Sequence, residues 1–267
     1  MSSKRALGAE EPKELSATLN EEEAAKLDAV RREIAKLDLY MEKQEILMYT
    51  PSYKKRQEIT KTIPNFWPVA LMHHNIILVH SQHSSDQTAF TYLEDIWVTR
   101  DPVEHRAFTI EFTFKENPYF SDKTLKKEFK YKAPEVDEAV NKPNEHGITD
   151  AMLEFDWFKH IEPSTIKINW KDDEHNLTKL YPRVLDEDDD DLPAESGSFF
   201  NFFEHKSDPF TIGEAIATEV FPNAIDYFMG DVEDSDVDSD DEEDDSEDDE
   251  NEEEIDLEKP RPKKRKV

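Results

Sequence analysis

Apolar residues recur at Leu27, Val30, Ile34, Leu37, Met41 and Met48. The steps alternate three and four, with Gln44 at the one polar seam position, which is a heptad stripe along a helix. Asn20 followed by Glu21, Glu22 and Glu23 supplies the start: a capping side chain, acids in the first turn, and a capping-box partner three residues on. Leu39, Tyr40, Ile46, Leu47 and Tyr49 broaden the stripe further along. A narrow stripe on so long a helix cannot bury itself. The pattern therefore predicts a coiled-coil partner and homodimerisation through Leu27, Val30, Ile34, Leu37, Met41 and Met48. Pro51 lacks a backbone donor and predicts a kink or break, with helix resuming over 52–62. The run Ile63-Pro64-Asn65-Phe66-Trp67-Pro68 breaks it again, and 69–79 reads as a short, almost wholly buried helix.

The period then changes. Phe108, Ile110, Phe112 and Phe114 alternate with Thr109, Glu111, Thr113 and Lys115, a half-buried strand. Residues 92–99, 125–132 and 165–170 are predicted as three more strands, joined as a meander by turns at Arg100-Asp101-Pro102 and Glu116-Asn117-Pro118. Residues 133–163 read as an excursion carrying one amphipathic helix near 148–160. Segments 199–203 and 212–228 read as closing helices. Helices, then a meander, then helices predict an α+β fold: a long N-terminal dimerisation helix and a domain with a four-stranded antiparallel sheet and flanking helices. The expected divisions are a flexible N-terminus at 1–19, the dimerisation helix at 20–62 with a kink near Pro51, the α+β domain at 63–230, an acidic tail at 231–258 and a basic end at 259–267.

Charge sharpens this picture. The 267 residues carry 33 Lys and Arg against 64 Asp and Glu, a net charge of -31. Residues 231–258 hold 20 acids and no base, and 259–267 hold six bases and no acid, leaving -17 on residues 1–230. The acidic tail has no aromatic residue and four aliphatic ones, too few to offset chain entropy, and is expected to be disordered. The acid run at 186–191 reads as a solvated loop. Such a chain repels phosphates and attracts cationic partners, so DNA is expected to be met only indirectly. No apolar run approaches the length of a membrane helix, the N-terminus lacks a secretory signal, and the absence of Cys removes disulfides and thiolate metal sites.

Candidate chemistry is sparse. The five glycines make no phosphate-binding signature, and the nine histidines include no H-E-x-x-H. No enzyme, cofactor or metal site is expected. A carboxylate-based hydrolase with a divalent metal stays as an unspecific alternative. Lys263, Lys264, Arg265 and Lys266 fit the core of a nuclear-import signal, which would engage an import receptor. A nucleic-acid patch, a tail-neutralising patch or an added tag are the other readings of the same residues. Ser235, Ser239 and Ser246 each precede an acid by three residues, which suits acidophilic kinases.

Four motifs stand in order: Ile63-Pro64-Asn65-Phe66-Trp67, Glu116-Asn117-Pro118-Tyr119-Phe120, Ser198-Phe199-Phe200-Asn201-Phe202-Phe203, and Phe221-Pro222-Asn223-Ala224-Ile225-Asp226-Tyr227-Phe228. With the acidic tail behind them, the chain over about 20–230 resembles the SET subfamily of the nucleosome-assembly-protein family of histone chaperones. The resemblance implies a dimerisation helix, an "earmuff" domain around the four-stranded sheet, and ATP-independent handling of core histones on an acidic underside, in the nucleus with possible shuttling to the cytoplasm. An inhibitor or scaffold for a phosphatase or histone acetyltransferase is the alternative. On the closing helices the expected histone contacts are Asn201, Glu204, Asp208, Glu214, Glu219 and Asp226, flanking apolar Phe199, Phe203, Ile216 and Phe228.

Overall fold

Helix α1 (Glu21–Thr60) runs 40 residues in a computed structural model that describes residues 19–136, 141–185 and 193–232. Its start is the expected capping box: the Asn20 side chain accepts from the Glu23 N–H at 2.9 Å, and the Glu23 carboxylate accepts from the Asn20 N–H at 3.0 Å. Of the kink or break expected at Pro51, the break is absent: the helix continues through that residue. A proline removes one ladder bond, and the flanking turns hold. The Thr50 hydroxyl donates to the Ile46 carbonyl at 2.9 Å, and the following turns are pinned to the domain. There Arg56 is buried, donates to the Pro222 carbonyl at 3.0 Å and lies over the Tyr53 and Phe221 rings.

The expected helix at 69–79 is two helices, α2 (Phe66–Met72) and α3 (Asn75–Val79), and only Ile77 of α3 is buried. The break falls at His73 and His74, whose rings reach the Tyr227 carbonyl at 2.5 Å and the Glu219 carboxylate at 3.2 Å. A further helix, α4 (Ser84–Phe90), had no clear apolar period. It is fixed by Asp86, a fully buried carboxylate that accepts from the Ser198 hydroxyl at 2.6 Å and the Phe199 N–H at 2.8 Å.

Strands β1 (Leu93–Arg100), β2 (Phe108–Phe114), β3 (Thr124–Tyr131) and β4 (Ile161–Pro163) form one antiparallel sheet in chain order. The first three match the sequence reading closely. The fourth corrects it: the alternating segment 165–170 is not the fourth strand. Its backbone groups bond elsewhere, Ile166 N–H to the Phe203 carbonyl and Ile168 N–H to the Glu204 carboxylate, with a single bridge between Phe120 and Trp170. The excursion before β4 contains two short turns, α5 (Asp150–Leu153) and α6 (Trp157–His160), rather than one helix. It docks on α1, where Leu39, Ile148 and Met152 form a small apolar cluster and Lys36 pairs with Asp150 at 2.9 Å.

After α7 (Leu177–Leu180) and the short pair β5 (Val184–Leu185) and β6 (Pro193–Glu195) comes the closing layer. It comprises α8 (Asn201–Glu204), α9 (Ile212–Glu214), a π-helical turn at Ala215–Val220, and α10 (Ala224–Met229). The single helix expected at 212–228 is thus three pieces. This layer covers the inward row of the sheet, where Ile96, Val98, Ile110, Phe112, Leu125 and Phe129 meet Phe199, Phe200, Phe202 and Phe203. Gly213 lies so close to the Phe129 ring that a β-carbon there would overlap it. Lys127 shares the inward row. Its amine donates to the Ser164 and His205 carbonyls at 3.0 and 2.7 Å and sits over the Phe202 ring, and burial lowers its pKa to about 8.

Candidate functional site

The closing layer carries all six acids and amides expected to face a partner, and the structure divides them. Asn201 is 2% exposed and donates its amide to the Tyr181 and Ser198 carbonyls at 3.0 and 2.9 Å. Glu204 accepts from the Ile168 N–H, the Trp170 indole N–H and the Thr178 hydroxyl, tying the 165–170 segment and α7 to α8. Asp208 is 8% exposed and accepts from the Ile212 and Gly213 N–H groups at 3.1 and 2.7 Å, so it satisfies the first two donors of α9. Burial raises its pKa, opposed by those two N–H groups and by Lys127. These three therefore correct the surface expectation: their polar atoms hold the fold together and are not offered outward.

Glu214, Glu219 and Asp226 behave differently. Glu219 and Asp226 are exposed, with Glu219 against His74. Glu214 is half-buried and has no side-chain partner among the described residues. Burial raises its pKa, and the nearby Glu219 and Asp208 charges add to the effect. It lines a groove of about 580 Å³ where the middle of α1 meets the domain, together with Glu42, Glu45, Tyr49 and Tyr53 of α1, Arg100 and Arg106 of the sheet end, and Phe155 and Trp157 of the excursion.

The two arginines of this groove are already engaged. Arg106 makes a two-pronged pair with buried Glu104 at 2.7 Å, donates to the Met152 carbonyl and lies over the Phe155 ring. Arg100 donates to the Ala217 carbonyl at 2.5 Å, an acceptor in the π-helical turn, and burial lowers its pKa. Glu42 lies 3.3 Å from the buried His105 ring, a contact that lowers the Glu42 pKa. Glu45 has no side-chain partner among the described residues. Sequence reasoning had missed this wall. The available signal was Glu42 and Glu45 three apart, then Tyr49 and Tyr53 four apart, which share one side of a helix.

On α1 the stripe is uncovered in a single chain. Leu27, Val30, Ile34, Leu37, Met41 and Met48 are 44–78% exposed, and only Leu39, Arg56 and Thr60 of the whole helix are buried. Among the described residues, no group of three or more His, Asp or Glu side chains could hold a metal ion, and no helix is long and apolar enough to cross a membrane. Ser235, Ser239, Ser246, Lys263, Lys264, Arg265, Lys266 and the acid run at 186–191 lie outside the described residues.

The family profile described as nucleosome assembly protein (NAP) matches residues 7–231, nearly the whole of the chain before the acidic tail. The chain belongs to the nucleosome assembly protein family. "Protein SET" of Drosophila melanogaster is 29% identical over 229 residues, covering 79% of this chain and 75% of its own. "Nucleosome assembly protein 1-like 2" of Homo sapiens is 30% identical over 202 residues, covering 70% of this chain and 41% of its own. Among solved structures, that of Ccp1 superposes with a TM-score of 0.55 at 24% identity, covering 78% of this chain and 94% of that one, a likeness of fold. The family membership agrees with the resemblance read from the four motifs. Those motifs are now seen to be structural: Asn117 caps its own turn through the Tyr119 and Phe120 N–H groups, and the Ser198–Phe203 motif builds the centre of the core.

Proposed function

We propose that this chain is a non-enzymatic histone chaperone that binds core histones, works as a homodimer and assists nucleosome assembly and disassembly without ATP. The observation that carries the reading is the family match over residues 7–231. Two features of the molecule support it. The folded part is acidic in its own right, and Glu214, Glu219 and Asp226 of the closing layer and Glu45 of α1 leave carboxylates available. Histones are strongly cationic and bind DNA phosphates unselectively, so a competing acidic surface can hold them and release them to DNA. The uncovered stripe from Leu27 to Met48 supports dimerisation, since a second copy would remove it from water.

The acidic tail steers encounter, and the folded acids supply fixed geometry and hence selectivity. Import to the nucleus is assigned to Lys263, Lys264, Arg265 and Lys266, and phosphorylation of Ser235, Ser239 and Ser246 would add negative charge to the tail. The test is transfer. Purified full-length chain is loaded with each core-histone pair, the tetramer-forming and the dimer-forming one, and mixed with DNA in the absence of ATP. Nucleosome formation that depends on the chain supports the reading. Absence of histone binding, with capture of a phosphatase or acetyltransferase instead, contradicts it.

A further inference from the structure

The groove between α1 and the closing layer differs from the rest of the acidic surface because its walls are aromatic. Glu45 and Glu214 stand on it without side-chain partners among the described residues, while Arg100 and Arg106 are hydrogen-bonded to the protein and Glu42 lies 3.3 Å from the His105 ring. Tyr49, Tyr53, Phe155 and Trp157 share its lining, and the Tyr49 and Tyr53 rings stack with centroids 5.8 Å apart. A second cavity of about 330 Å³ shares Ile46, Tyr53, Arg100 and Pro222 with it, so the two lie side by side along α1.

Free carboxylates beside aromatic faces suit one ligand class. A guanidinium or ammonium gains charge-assisted hydrogen bonds from the carboxylates, its planar or methylene part packs on the rings, and the rings' negative faces add attraction. An anion would meet Glu45 and Glu214, and a metal ion would find no convergent ligand set among the described residues. Two adjoining hollows along one helix suit an extended chain better than a folded surface.

We propose that this groove is a docking site for an arginine or lysine side chain of an extended basic peptide, held between Glu45 and Glu214 with its stem against Tyr49 and Tyr53. This deepens the chaperone reading and rests on it: the peptide would be an unfolded basic segment of the cargo, captured separately from the cargo's folded body. The half-buried position of Glu214 favours a cation over water as its partner.

The experiment titrates full-length chain with a short labelled peptide of Arg, Ser and Gly, with the same peptide carrying Gln for Arg, and with intact and tail-trimmed histone pairs. The variants are Glu45→Gln with Glu214→Gln, and Tyr49→Ser. A control, Glu116→Gln with Glu174→Gln, removes the same charge elsewhere. The groove pair is expected to weaken Arg-peptide binding roughly tenfold, about the loss of one buried charge-assisted contact. Tyr49→Ser should weaken it about threefold, on the scale of one cation–aromatic contact. The control should change it by less than about twofold, the scale of an exposed charge. Tail-trimmed histones should bind the groove pair and the wild type alike.

Equal losses in groove and control variants would mean a diffuse field and overturn the proposal. So would equal binding of the Gln peptide, or no binding of either peptide by the wild type. A shift of the monomer–dimer equilibrium in the groove pair, with peptide binding intact, would assign the groove to a second copy and also overturn it. Failure of the wild type to bind any histone pair would instead strike the chaperone reading.

Discussion

The N-terminal half of α1 and the α+β domain spend their apolar residues in opposite ways. In the domain, Phe112, Phe199, Phe200 and Phe203 are almost entirely removed from water and contact one another. In α1, Leu27, Val30, Ile34, Leu37, Met41 and Met48 remain open although their spacing is as regular as any in the chain. A residue's pattern thus states that it will be covered, and only the surroundings state by what. The domain supplies its own cover, and α1 is left with a face that nothing in a single chain covers.

The largest expected effect comes from breaking the α1 face. Ile34→Asp with Leu37→Asp should remove on the order of 3–6 kcal/mol of apolar burial from a dimer, before the cost of charge in the seam. Sedimentation should find monomers or aggregates. The domain's own melting should stay close to wild type, since no core residue changes. An intact dimer would show that α1 meets its partner some other way. The complementary change is Phe200→Ala, which should cost about 3–5 kcal/mol by opening a cavity in the domain, read by chemical denaturation at a fixed protein concentration.

A smaller effect separates a buried charge from buried hydrocarbon. Lys127→Met leaves the Ser164 and His205 carbonyls without their donor, a cost of about 1–3 kcal/mol. The pH dependence gives a second readout. Burial holds the folded pKa at about 8 against an ordinary 10.5, so between these values the unfolded chain binds more protons. The Lys127 contribution to stability should therefore be flat below about pH 8 and rise from there to 10.5. The Met variant should lose that rise, measured by denaturant titrations across the range. The smallest effect is at the start of α1: Asn20→Ala should cost about 1 kcal/mol of helix stability, seen as faster amide exchange in the first turns with the domain unchanged.

The same contrast explains what the sequence made legible. Long periodic segments were readable, α1 with its cap and the three long strands, because their side chains obey one rule over many residues. Segment 165–170 alternates like a strand, but alternation does not name the partner, and its backbone bonds go to Phe203, Glu204 and the Tyr119–Ser121 turn. The closing layer defeated a single helical period over 212–228 because the π-helical turn at Ala215–Val220 shifts the register and α10 starts afresh only at Ala224. Asn201, Glu204 and Asp208 are held inward by their own bonds to Tyr181 and Ser198, to Ile168, Trp170 and Thr178, and to Ile212 and Gly213. A carboxylate that bonds a backbone N–H looks, in sequence, like one that faces water. The groove acids were hidden for another reason: Glu214 is far along the chain from Glu42 and Glu45, and only docking of α1 on the domain brings them to one groove.

In the proposed function, folded, outward carboxylates bind histones with a selectivity that the tail does not supply. Exposed charges are screened beyond about 8–10 Å at physiological salt, so the tail should act mainly on association rate and at low salt. The direct measurement is a titration of each labelled core-histone pair, at two salt concentrations, against three proteins. These are the wild type, a chain lacking residues 231–258 and so its 20 acids, and the triple change of Glu214, Glu219 and Asp226 to Lys. The account predicts that tail deletion weakens binding modestly at physiological salt, and that the triple change weakens it more while altering fewer charges. Abolition of binding by tail deletion, with no effect of the triple change, would contradict it and leave the folded part as a dimeric carrier for a polyanion.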